Sequence, residues 1–155
     1  MEESKSRPYR WLVVAIFILY SATLFYLVFL ANEYGRNNSE ILRYNDINLV
    51  PFKTINNYLN AWEYVSAKVI ITNIFGNIAA FLPLGFLGPV VLRRLNTLKH
   101  VFFFSLALSF SIEGIQGLLG VGVVDVDDLI LNVLGAVIGY GLYVLMKNRK
   151  KVPNA

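Results

Sequence analysis

Two short runs hold the side chains that could do chemistry: Ser111-Ile112-Glu113-Gly114-Ile115-Gln116 and, after a glycine-rich turn, Asp125-Val126-Asp127-Asp128-Leu129-Ile130-Leu131-Asn132. Four of the ten acidic residues of the chain fall in these runs, although the surrounding sequence is apolar. An ionisable group inside a membrane span is costly and faces a bundle interior, a cavity or a partner. Carboxylates and amides placed in this way can move protons, receive hydrogen bonds from a polar ligand, or offer oxygens to Mg²⁺ or Ca²⁺. Glu113 and Gln116 share one helix face, and Asp125, Asp128 and Asn132 share another if a helix begins near Asp125. The Asp run lacks the glycine and later glutamate of an EF-hand, so the expected cofactor is none, with a divalent cation as the alternative. The chain has no cysteine, hence no disulfide, no thiolate nucleophile and no Cys-based metal site.

The elements that must position these groups are membrane spans. Of the 155 residues 56% are hydrophobic and 15% charged, and the mean hydropathy is +0.55, values of an integral membrane protein and not of a soluble domain of this size. Basic residues sit in small clusters beside apolar runs, where topology and lipid head groups account for a net charge of +4, and no nucleic-acid-binding pattern is present. We expect a single domain over residues 1–155, all-α, folded as a polytopic four-transmembrane-helix bundle. The spans are placed at about residues 11–31, 69–92, 101–119 and 129–146. The first is expected to be retained, because its apolar run exceeds a signal-peptide core of about 7–15 residues. In the intervening loop, Ile55, Tyr58, Leu59, Trp62, Val65 and Val69 recur at helical spacing, which predicts an interfacial helix with Tyr58 and Trp62 at head-group depth, the alternative being a packed loop helix with no lipid contact.

Asn73 and Asn77, four residues apart, share a face of the second span, and Pro83 is expected to break or bend that span beside them. Gly135 and Gly139 have the small-xxx-small spacing that lets membrane helices approach closely. His100 has no nucleophile to pair with and is given no role. Asp127 and Asp128 could instead cap the fourth helix, and capping is expected to explain one carboxylate of the four.

Lys and Arg accumulate on cytoplasmic flanks. Lys5, Arg7 and Arg10, then Arg93, Arg94 and Lys99, then Lys147, Arg149, Lys150 and Lys151 mark both termini and the middle connection as cytoplasmic, whereas Gly120 to Asp128 contains no Lys or Arg. The long loop is extracytoplasmic; its Arg36, Arg43, Lys53 and Lys68 are accompanied by Glu33, Glu40, Asp46 and Glu63. Asn73, Asn77, Glu113, Gln116, Asp125, Asp127, Asp128 and Asn132 then meet at one level near the outer leaflet. They are the expected lining of a polar cavity under the loop.

Four motifs in order, Asn48-Leu49-Val50-Pro51-Phe52, Asn73-x-x-Gly76-Asn77-x-x-x-Phe81-x-Pro83-x-Gly85, Glu113-x-x-Gln116 and Asp125-x-Asp127-Asp128-x-x-x-Asn132-x-x-Gly135-x-x-x-Gly139, resemble the VanZ-like family of bacterial membrane proteins over residues 45 to 145. Where many members place an Arg before the Asp motif, this chain has Gly122-Val123-Val124. The resemblance implies a cell-envelope protein of the cell membrane linked to reduced susceptibility to teicoplanin and related lipoglycopeptides, and carries with it no enzymatic activity. Non-enzymatic binding of an amphipathic ligand is the preferred expectation, the partners being membrane lipids, a lipid-linked cell-wall precursor or the lipoglycopeptide itself, with self-association left open. The alternatives are an intramembrane enzyme acting on a lipid head group, with Glu113 and Asp128 as acid/base or metal-binding groups, and a small proton-coupled carrier.

Overall fold

The structure, a computed structural model, describes residues 7–31, 47–119 and 124–149. The glycine-rich turn at Gly120 and Gly122, the loop charges Glu33, Arg36, Glu40, Arg43 and Asp46, and Lys5, Lys150 and Lys151 lie outside them. The helices are α1 (Arg7–Phe25), α2 (Lys53–Asn60), α3 (Ala67–Val91), α4 (Leu98–Leu119) and α5 (Val126–Arg149). A π-helical turn, Tyr26–Leu30, extends α1, and a 3₁₀ turn, Arg93–Leu95, joins α3 to α4.

Four segments are long and apolar enough to cross a membrane: Arg10–Leu30, Ala67–Val91, Leu98–Leu119 and Val126–Arg149. This is a multi-pass, all-α membrane bundle, with one isolated bridge and no strand among the described residues. Its exposed large side chains, such as Ile18, Leu19, Phe75, Phe103 and Phe110, have lipid as their natural solvent.

α3 and α5 form the most extensive helix pair, α4 packs on α5, and α1 lies against α3. Small residues set the central crossing. A Cβ on Gly85 would overlap the Ala136 carbonyl oxygen and stand 2.8 Å from the Tyr140 nitrogen. One on Gly135 would overlap the Ile78 carbonyl, and one on Gly139 the Leu82 carbonyl. The two backbones therefore touch, as the Gly135/Gly139 spacing predicts. Phe81, Leu84, Leu95, Val101, Ile112 and Ala136 form the core around that contact, with Phe17 and Tyr20 of α1 packed against it.

Two expectations change. α3 is not broken at Pro83: it continues as one helix through Pro83 and Pro89 to Val91. It packs closely along α5, and the Tyr20 hydroxyl of α1 donates to its Ala80 carbonyl at 2.8 Å. The repeat from Ile55 to Val69 is also divided between two helices, because turns at residues 61–65 separate α2 from α3. Tyr58 turns half-buried toward the bundle, while Leu59 and Trp62 stay exposed.

Candidate functional site

The polar residues gather where α5 begins, and the loop 47–60 lies over them. Asn48 joins the loop to the turn before α5 through a single parallel bridge: Val126 N–H donates to its carbonyl and its own N–H donates to Val124, each at 2.9 Å. The buried Asn48 amide donates to Asp125 Oδ1 at 2.8 Å and to the Thr54 hydroxyl at 3.0 Å. Thr54 Oγ1 in turn donates to Asp125 Oδ2 at 2.6 Å.

Asp125 is the cap of α5, since its Oδ1 receives the Asp127 N–H at 2.8 Å, satisfying one of the helix's first amides. Asp127 caps a different helix. Its carboxylate is fully buried and accepts from Phe52 N–H, from Thr54 N–H at 2.8 Å and from Ile55 N–H at 3.1 Å, the amides that open α2. At its own N-cap position α2 has Phe52, which offers no oxygen and sits in the left-handed region at φ 65°. An eight-residue helix is not stable alone. A carboxylate from more than seventy residues away in sequence supplies both the missing cap and the charge that its dipole favours. One carboxylate does cap the fourth span, but it is Asp125 and not Asp127 or Asp128; Asp127 caps α2 instead, because folding brings a second helix start against the Asp run.

Asp128 and Glu113 are the remaining carboxylates. The Asn77 amide of α3 donates to Asp128 Oδ1, and Asp128 lies within electrostatic reach of Glu113, Asp125 and Asp127. Buried Glu113, on α4, accepts the Asp125 N–H at 3.2 Å. Tyr58 completes the group from above: burial, then the carboxylates of Asp128 and Asp125, push its phenol above the ordinary tyrosine range, so it stays a neutral hydrogen-bonding group.

The other expected site residues lie elsewhere. Asn73 donates at 2.7 Å to the Val69 carbonyl of its own helix. Asn132, one turn deeper in α5, donates at 2.9 Å to Ser109 of α4. Gln116 reaches α1, donating at 2.9 Å to the Val28 carbonyl inside the π-helical turn, where widened hydrogen bonding leaves carbonyls accessible. Asn77, Glu113, Asp125, Asp127 and Asp128 are therefore brought together, and Asn73, Gln116 and Asn132 are not. Thr54 and Tyr58 join the cluster, and no sequence signal marked Thr54 as a partner of Asp125. Among the described residues no group of three His, Asp or Glu side chains is arranged to hold a metal ion.

Where α2 ends and α3 begins there is a shallow hollow lined by Leu59, Trp62, Ala67, Ile70 and Ile71, with almost wholly apolar walls. Consecutive residues thus have different surroundings, Tyr58 the carboxylates and Leu59 the hollow. Such a pair of surfaces can take a ligand with a polar part and a hydrocarbon part.

The family model VanZ-LLP1 (VanZ/LLP1) matches residues 17–147, which include every residue of the cluster. The chain is 30% identical over 139 residues to Protein VanZ of Enterococcus faecium, a match covering 86% of this chain and 76% of that protein. No solved structure matches the chain.

Proposed function

Because this chain belongs to the VanZ/LLP1 family, we propose that it lowers susceptibility to teicoplanin-like lipoglycopeptides by holding an amphipathic ligand at the outer face of the cell membrane. The observation that carries this reading is the change of surroundings within α2, where Leu59 lines an apolar hollow and the preceding Tyr58 joins the Asp128 and Asn77 group. An acyl chain suits the hollow. Sugars or amines, neutral or cationic, suit a head-group site rich in carboxylates better than bare phosphates do, since like charges repel. The acyl-bearing antibiotic or a glycosylated cell-wall lipid meets that requirement, and no covalent step is needed.

The reading requires an orientation, and we place both termini and the Arg93–Lys99 connection in the cytoplasm, from their basic residues. Single cysteines at Asn57 and Asn96 test it in intact cells. A membrane-impermeant maleimide should label Asn57→Cys and spare Asn96→Cys; the reverse pattern would put the cluster on the wrong side of the membrane.

Binding is tested with protein in nanodiscs, following Trp62 emission in a Trp11→Phe background. Teicoplanin should shift the emission, and its deacylated core should bind at least about tenfold more weakly, a loss of roughly 1.4 kcal/mol. Equal binding of the two, or none of either, removes the amphipathic reading.

Glu113→Gln keeps shape and hydrogen-bonding capacity but cannot ionise. Glu113 lies six residues before the end of α4, roughly 9 Å along the axis. The variant should insert and express normally and lose most antibiotic tolerance in cells. Full tolerance would assign Glu113 to packing alone.

A further inference from the structure

The loop 47–52 has an outward apolar edge that the cluster beneath it does not use. Ile47, Leu49, Val50 and Phe52 are 62%, 70%, 60% and 55% exposed, while Asn48 between them is buried and hydrogen-bonded. Scattered exposed apolar residues are ordinary on any protein. Here four fall within six residues, and they are held in place. The bridge to Asp125, the Asx-type bond from Val50 N–H to Asn48 Oδ1 at 3.2 Å, and the Asp127 carboxylate fix the backbone, including the positive φ of Phe52. A left-handed Phe costs about 1 kcal/mol or more, so the bonds around it over-determine a conformation that points hydrocarbon away from the protein.

The depth of the loop indicates what lies there. It is tied to the first turn of α5, and α3 and α5 have 25 and 24 residues, about 37 and 36 Å of helix against a hydrocarbon core of about 30 Å. Their ends therefore enter the head-group layer. Leu59, Trp62 and Ile71 are exposed as well, Ile71 on a helix long and apolar enough to cross a membrane. Trp at this level is the usual interfacial anchor, and Lys53 sits exposed beside the loop, where lipid phosphates would meet it.

We propose that residues 47–52 are a lipid-docking finger, a preformed apolar loop seated in the interfacial layer of the leaflet that flanks the start of α5. Its partner is the phospholipid surface. The finger stands independently of any ligand bound at the carboxylates.

The native chain has no cysteine, so single nitroxide labels at Leu49→Cys and Val50→Cys can be compared with one at Asn57→Cys, on an exposed polar position of α2. In phosphatidylcholine nanodiscs, labels at 49 and 50 should collide several-fold more with oxygen, and several-fold less with a water-soluble nickel chelate, than the label at 57. Nickel access equal to that at 57 would place the loop in water and overturn the proposal. Exclusion of both reagents would overturn it as well, because the loop would then be covered by protein, from a second copy or from residues 32–46. Two adjacent label positions guard against one perturbing the loop.

Discussion

Asp127→Asn is expected to release residues 47–60 from the bundle while leaving the four spans inserted. Three backbone N–H groups converge on this fully buried carboxylate, and the side-chain amide of Asn would point one N–H₂ at donors that need an acceptor. Bonds to a charged acceptor contribute about 1.5–3 kcal/mol each, but opening of the loop lets water take the freed amides, so the net loss should be near 3 kcal/mol. Hydrogen exchange reads this directly. Amide protection at Thr54 and Ile55 should fall on the order of a hundredfold, since each 1.4 kcal/mol is tenfold. Asp128→Asn is the comparison, because that side chain receives the Asn77 amide and supports no α2 backbone amide. Unchanged protection in Asp127→Asn would show that α2 is held by its apolar contacts and not by its distant cap.

Gly139→Leu should have the largest effect on the bundle itself. The added side chain would begin inside the Leu82 carbonyl, a backbone group that cannot turn aside as a side-chain tip can. Overpacking costs about 1–3 kcal/mol where neighbours can shift; with backbone on backbone we expect the upper end, about 3 kcal/mol, and separation of α3 from α5. Gly141→Ala is the control, since nothing lies within 4 Å of its added Cβ, and better helix propensity should leave it neutral or slightly more stable. Thermal unfolding in detergent separates the two. Equal midpoints for Gly139→Leu and the unaltered chain would mean that the close crossing is not what holds these helices.

Both effects were unequally visible in the sequence. Gly135 and Gly139 stood out because a four-residue spacing of small side chains inside an apolar run has one common physical use, and the partner is simply another span. The carboxylates stood out for a related reason, charge in an apolar setting. What each would bind was hidden. Asp127 meets amides more than seventy residues away, a pairing set by where α2 lands and not by anything local to the Asp run. Gln116 bonds to a carbonyl in the π-helical turn of α1, and no residue pattern announced that turn. The unbroken α3 shows the converse case, a local rule about Pro83 outweighed by packing along its length. Spacing groups Tyr58 with Leu59 and Trp62, yet Tyr58 is half-buried beside the carboxylates while the other two stay exposed, because the repeat is cut by the turns at 61–65.

The bonds that seat the loop 47–55 on the bundle end at Val124, Asp125, Val126 and Asp127, and the tightest partner of α3 is α5. During synthesis at about 5–20 residues per second, some 70 residues separate the loop from its anchors, a delay of several seconds to more than ten. Throughout that interval Asn48 and Thr54 have no permanent partner, and Gly85 faces no helix. Until then the three earlier spans lack the helix against which α3 packs most closely. Closure waits on a single late event, the arrival of the Asp run.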